Sequence, residues 1–314
     1  AAADLDRAIL AAEGALPAVH MTHLTPPPTR CQDRLDARLQ VHPQPASITE
    51  SLDIYRNVRT FFEIASPHDE LLVRASSLVQ THAPEPVDSR LSWDGVRDSF
   101  AYHVGAEWHP AAEFIYPSTY VHPGDPFADY ARPSFPPGRP LIDAARELMQ
   151  RVHQDFTYAS RSTEINTPAA EALAQRRGVC QDFSHVMLAC LRSLGLPARY
   201  VSGYLLTQPP PGQPRLVGSD ASHAWVAVFL PDVAAQHGGH GWYDLDPTND
   251  RHGWGAPGED FVRLAVGRDY ADISPMRGVI HGGAGHELDV GVTVEPCDAA
   301  SLAEAPPLPT DPFR

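Results

Sequence analysis

The chain has 314 residues, 43% hydrophobic and 20% charged, with a formal charge of −15 from 39 acidic and 24 basic side chains. That length favours two compact units over one, and the acidic balance excludes the basic face a nucleic-acid binder needs. No stretch approaches the roughly 18 uncharged apolar residues of a membrane helix, so neither nucleic acid nor membrane is an expected partner.

The chain opens without an initiator Met, and AAADLDRAILAAEGALPAV has no basic leader with a long apolar run. The expected location is cytoplasmic. Residues from about 33 to 83 alternate as strands do: Leu35, Ala37, Leu39 and Val41 should share one side, with VRTFFEIA and ELLVRASSLVQ following. HAPEPVDS closes this β-rich region. LSWDGVRDSFAY suits a helix, and YPSTYVHPGDPFADYARPSFPPGRP reads as a proline-punctuated connector wrapping a surface or bordering a site.

LIDAARELMQRVHQDF is apolar at 141, 142, 145, 148, 149, 152 and 156, the spacing of an amphipathic helix. Thr167-Pro168 should open a second helix that Gly178 closes. A third should run from about Cys180 to Leu194, stopped by Gly195 and Pro197. Strands are expected at 198–206, 223–230 and 241–248, with TQPPPGQPRLVGSD as a loop between the first two. Helices followed by antiparallel strands predict α+β rather than doubly wound α/β. The proline-rich AEAPPLPTDPFR reads as a surface tail.

The four cysteines, Cys31, Cys180, Cys190 and Cys297, form no CxxC or Cys/His knuckle and are too few for a disulfide scaffold. Reduced thiols are expected, one of them available as a nucleophile. Cys180 stands at the first turn of its helix, where backbone N–H groups and the helix dipole stabilise a thiolate and can serve an oxyanion. His223 opens the next strand but one, a place from which it can act as general base. Asp246 ends the strand after that, beside His223 if the two are antiparallel neighbours, and can hold the imidazole tautomer. Each residue alone has a bland reading, and the ordered combination points to acyl transfer. Cys190 reads as core.

His237 and His240 (HGGH), with His281 and His286, lack a metal-binding frame. Asp246, Asn249 and Asp250 lack the twelve-residue calcium pattern. No metal and no other cofactor is expected.

GVCQDFSHVMLACLRSLGLPARYVSGYL, SHAWVAVFLP and GWYDLDPTND together resemble the transglutaminase-like superfamily core, whose Cys, His and Asp fall at matching places. LTPPPTRCQDRLDARLQVHP and ASPHDELLVRASSLV are similar to the β-rich domain preceding that core in bacterial members. AVGRDYADISPMRGVIHGGAGHELDVGVTVEP is similar to their closing segment, and Arg268, Asp269 and Tyr270 match a family motif. The first dozen residues depart, since that domain usually opens with a longer strand. The resemblance implies that Asp246, in DPT, rather than Asp244 is the orienting acid. Trp225 is expected to shield the triad, wall the acyl site or serve the core. Tyr158 is a candidate oxyanion donor, and Gln181 and Asp182 follow the nucleophile.

The implied fold is α+β: a papain-like transglutaminase core, its nucleophile helix on an antiparallel sheet, preceded by a β-rich N-terminal domain. The expected boundaries are 1–85 for that domain, 86–140 for a connector with a helix, 141–296 for the core and 297–314 for the tail. The implied activity is that of a Cys180-dependent hydrolase or acyltransferase, of the kind that includes candidate cysteine proteases. It would act on a peptide, isopeptide or γ-glutamyl amide of a peptide or protein substrate. Hydrolysis is expected over transfer because no acyl-acceptor feature is visible. The alternatives are an inactive scaffold of the same fold and acyl transfer to a small amine, as in arylamine acetyltransferases. Oligomeric state stays open.

Overall fold

The first part of the chain is built of strands. Its strands are β1 (Ala2–Ala15), β2 (Ala18–Thr25), β3 (Gln32–His42), β4 (Ser47–Leu52), β5 (Val58–Ile64) and β6 (His68–Thr81). In β5, Val58, Thr60, Phe62 and Ile64 are buried while Phe61 and Glu63 face water, the alternation of a one-sided strand. The computed structural model describes residues 2–15, 18–105, 107–159, 167–206, 222–280 and 286–296. The 207–220 loop, Cys297, His281 and the 297–314 tail lie outside the described residues, as does the His286 side chain.

Helix α1 (Trp93–Ser99) is capped by Ser92, whose hydroxyl accepts from the Gly95 N–H. A 3-10 turn (Pro110–Ile115) and α2 (Asp125–Ala131) follow. Next come α3 (Leu141–Asp155), β7 (Thr157–Tyr158), α4 (Ala169–Gln175), β8 (Arg177–Gly178) and α5 (Cys180–Ser193). The chain then forms β9 (Ala198–Leu205), β10 (Ser222–Phe229), α6 (Pro231–Gln236), β11 (Trp242–Asp246), β12 (Arg251–Trp254) and β13 (Phe261–Gly267). It finishes with β14 (Met276–Ile280), β15 (His286–Val290) and β16 (Thr293–Glu295). No helix among the described residues is long and apolar enough to cross a membrane.

Strands β9 to β13 form one antiparallel sheet in the order β12-β11-β10-β9-β13. One face receives α5. Ala224, Val226 and Val228 of β10 join the main apolar cluster with Phe183, Val186, Met187 and Leu191 of that helix. Trp225 and Ala227, at the alternate positions, form a second cluster with Val201, Phe261 and Val266 on the opposite face. The fold is therefore α+β, a helix-on-sheet core behind a β-rich unit.

The chain divides differently from its expected linear boundaries. Strand β14 pairs with β2, and β15 and β16 pair with β1. The last 20 or so described residues therefore complete the N-terminal sheets rather than the core, and 141–296 joins two units. The supposed connector is also core. Phe114, Val121, Phe127, Tyr130, Ala131 and Phe135 are all buried, and α2 packs on α5. Prolines there shape a packed segment instead of a surface strap.

Two local expectations also shift. Leu35 is 54% exposed, because a register slip between Arg34 and Asp36 makes it the extra residue of a bulge. Helix α4 closes not at Gly178 but at Arg176, which takes a left-handed φ of 53° with its guanidinium over the Tyr130 ring. Gly178 instead belongs to β8, paired with Tyr158.

The β13 edge is closed by side-chain amides from the N-terminal unit. Gln32 donates to the Arg263 carbonyl at 2.8 Å and accepts from its N–H at 2.8 Å. Asn57 does the same to Val266, at 2.7 and 2.8 Å. Each amide imitates a neighbouring strand, satisfying an edge that would otherwise invite pairing. Asn57→Ala strands a buried N–H and carbonyl, which costs about 2 kcal/mol. Urea unfolding should register that loss, and the Val266 amide should exchange faster; unchanged exchange would refute the latch.

Candidate functional site

Backbone chemistry places Cys180 first. The Asp182 carboxylate accepts from the Val179 N–H at 2.8 Å, and the first helical bond runs from Phe183 N–H to the Val179 carbonyl. Cys180 is thus the first residue of α5, at the positive end of its dipole. Gly178 makes the turn feasible, because a Cβ there would sit 2.5 Å from an Asp182 oxygen. At the other end Gly195, with φ 76°, ends the helix. Cys180 is half-buried, the other two described cysteines fully so.

His223 lies at the mouth of β10. The β10–β11 register, Val226 opposite Leu245, sets Asp246 diagonally across from it. The His223 Nε2–H donates to Asp246 Oδ2 at 2.8 Å. That leaves Nδ1 turned away from the carboxylate, and the Cys180 thiol acts on the same ring. The structure brings these three residues together in that order.

Asp246 is wholly buried, and every demand of its carboxylate is met. Oδ1 accepts from the backbone N–H groups of Thr248 (2.9 Å) and Asn249 (3.4 Å), while Oδ2 accepts from His223 and from the Asn249 side-chain amide (2.8 Å). Asn249 is the residue that the sequence reading left without a role. Its place in DPTND, just past a buried acid, was the available signal.

Burial alone would lower the His223 pKa, but the hydrogen bond and charge of Asp246, and then Cys180, push it up to about 10. At neutral pH the ring is therefore an imidazolium held between a carboxylate and a sulfur.

The other expected residues fall around this line. Asp244, two residues before Asp246, does not reach His223; its Oδ1 accepts from the Trp225 indole N–H at 2.7 Å. Trp225 is 1% exposed, so it presents no wall to a substrate. It stacks behind His223 at 6.1 Å and meets Phe261 edge-on. Tyr158 is half-exposed beside Gly178 with its ring 6.3 Å from Phe183, at the rim near Cys180. Gln181 is the second residue of α5. His237 packs on Trp254.

Arg268 forms an ion pair with Asp272 at 2.8 Å. Asp269 accepts the backbone N–H groups of Tyr120 and Ala271. Buried Arg192 holds the end of α5 to the Ala198 carbonyl, the Ser118 hydroxyl and the Arg268 carbonyl.

Comparison with known proteins agrees with this architecture. Residues 129–247 match the transglutaminase-like superfamily and residues 13–80 the bacterial transglutaminase-like N-terminal region. An uncharacterised protein of Mycobacterium tuberculosis (strain H37Rv) is 39% identical over 285 residues, 89% of this chain and 87% of its own. A protein-glutamine gamma-glutamyltransferase of Pseudomonas aeruginosa is 30% identical over 182 residues, 57% of this chain and 23% of its own. The crystal structure of a candidate cysteine protease from Cytophaga hutchinsonii superposes with a TM-score of 0.64 at 19% identity. It covers 95% of this chain and 93% of its own, a likeness of fold.

Because the folded-state pKa of His223 lies above the ordinary imidazole value of 6.5, its protonation adds stability that is full below about pH 6.5 and lost as pH climbs towards 10. Asp246→Asn removes the main cause. The gap in thermal midpoint between wild type and this variant should be widest near pH 6 and close by pH 10. A gap independent of pH would show that Asp246 does not hold the charge.

Proposed function

The chain belongs to the transglutaminase-like superfamily and carries its bacterial N-terminal region, and from this premise we propose a cysteine-dependent acyl-transfer enzyme acting on amide carbonyls. The nucleophile is Cys180, the proton carrier His223 and the orienting carboxylate Asp246. The observation that carries the reading is a wholly buried carboxylate hydrogen-bonded to a histidine, with a thiol at a helix N-terminus acting on the same ring.

The Cys180 sulfur, as thiolate, attacks the carbonyl carbon of the substrate amide, forming a C–S bond and a tetrahedral oxyanion beside the positive end of α5. The intermediate collapses as the C–N bond breaks and the departing amine takes the Nδ1 proton of His223. A thioester on Cys180 remains. Neutral His223 then draws a proton from water, which attacks the thioester carbon; the C–S bond breaks, releasing the carboxylic acid and restoring the thiolate–imidazolium pair. Asp246 stays ionised, holding the ring so that Nδ1 faces the sulfur.

The substrate is a peptide or protein bearing a peptide, isopeptide or γ-glutamyl amide. The name of the Pseudomonas aeruginosa relative supports the glutamine side chain as one such donor. Hydrolysis is favoured over transfer, since water needs no acceptor site and the sequence marks none.

Burial, with a smaller push from Asp244, raises the Cys31 thiol to about 11, and burial likewise raises Cys190. Substoichiometric iodoacetamide at pH 7 should therefore modify Cys180 ahead of both, as read by peptide mass spectrometry. Incubation with a glutamine-containing peptide library, with and without a primary amine, should give cleaved or deamidated peptides. Cys180→Ala should reduce them at least about a thousandfold. Amine-bearing products would reassign the enzyme as a transferase; equal product from Cys180→Ala, or none from the wild type, would overturn the reading.

A further inference from the structure

Between the outer face of the catalytic sheet and the N-terminal strands lies a cavity of about 960 Å³, lined by five arginines and one carboxylate, Glu50. Neither Cys180 nor His223 nor Asp246 lines it. In a chain carrying −15 overall, so cationic a concavity needs a cause.

The register supplies the geometry. Arg199 of β9 stands opposite Ala227, which stands opposite Asp244, so the guanidinium and the carboxylate share one face across a small residue. Arg263, on the neighbouring edge strand, shares that face. Asp244 is thus the buried counter-charge for two guanidiniums, acting on both through space. One of its oxygens is already taken by Trp225.

Among the described residues neither Arg199 nor Arg263 has a carboxylate within ion-pair distance. Both are half-buried overall, yet their Nε atoms are shut from solvent with no hydrogen-bond partner. Burial, more than their mutual repulsion, brings Arg199 down to about 9. An arrangement of this kind costs stability while it stays uncompensated. Arg34, half-buried, and Arg56, exposed, add two further cations without ion pairs among the described residues. Arg30 is not part of this surplus, being paired with Glu85 and laid over Trp254.

We propose that this cavity binds a small anion carrying a phosphate or carboxylate group, clasped between Arg199 and Arg263 with Arg34 and Arg56 at the mouth. The guanidinium fork suits both oxyanions bidentately. Stacking on Trp242 at 4.2 Å fixes the plane of Arg199 in advance. The volume is that of a metabolite site.

The test uses the full chain at constant ionic strength, titrated separately with inorganic pyrophosphate and with succinate, and with sodium chloride as control. Thermal midpoint and the fluorescence of the lining tryptophans, Trp242 and Trp254, are the readouts. Pyrophosphate or succinate should give a saturable rise of a few degrees and a matching fluorescence change; which of them saturates assigns the oxyanion as phosphate or carboxylate. Arg199→Gln with Arg263→Gln should abolish saturation. Since that pair sits inside the fold, Arg34→Gln with Arg56→Gln at the mouth provides a second reading and should weaken binding at least about tenfold. A response to neither anion beyond the chloride control, or mouth variants that bind as the wild type does, would overturn the proposal.

Discussion

The axial position of α5 on the five-stranded sheet is the constraint on which the site depends. From Asp182 to Arg192 every residue of the helix is buried, so it is a core helix rather than an amphipathic surface one. Its sides are fixed by α2, α3, α4 and the sheet. Burial alone would leave it free to slide, and one turn of sliding moves a side chain by about 5.4 Å, enough to take the thiol out of reach of His223. A cap at one end and a polar pin at the other oppose this, the pin being the one that reaches other elements. Asp182 ties the first turn to the Val179 N–H, and Arg192 ties the last to the Ala198 carbonyl and Ser118.

Much of this core is written locally in the sequence. The apolar spacing of 141–156 gives α3, the Gly and Pro after Leu194 end α5, and β9 to β11 are apolar runs bounded by turns. The order nucleophile, base, acid follows from those elements. What escaped local pattern is long-range. Strands β12 and β13 are short, and β13 is closed by Gln32 and Asn57, each more than 200 residues away. The return of β14 to β16 onto β1 and β2 joins the two ends of the chain, a pairing that no periodicity encodes. Leu35 was misplaced because a bulge shifts the period by one residue. In the 116–140 segment the prolines suggest a surface path, while its aromatic residues are what pack.

Two aspartates on one strand show how little separation is needed to divide roles. Asp244 and Asp246 are two residues apart and both wholly buried. Asp246 lies at the end of β11, where the chain turns back and offers it two backbone N–H groups and the Asn249 amide. Asp244 lies one pleat inward, where the Trp225 indole N–H holds one oxygen and the Gly255 backbone N–H makes a lesser contribution. Burial raises its pKa, against Arg199 and Arg263. The DPTND turn, rather than the strand, supplies the hydrogen bonds of the outer acid.

Two buried histidines carry the same argument over to the base. His185 lies on α5 between the rings of Tyr120 and Tyr200 and accepts the Tyr270 N–H. Burial, helped by Arg192 and only partly opposed by Asp269, brings it down to about 4, so it is neutral at pH 7. Both oxygens of Asp269 are spent on backbone N–H groups, so its charge reaches His185 only through space. His223 is as deeply placed, yet its carboxylate bonds directly to the ring, and its pKa moves the other way. Burial opposes the charge on both rings, and a carboxylate bonded directly to the ring decides which of them holds a proton. That difference makes His185 a packing residue of α5, and it is what suits His223 to the proton-donating role proposed for it.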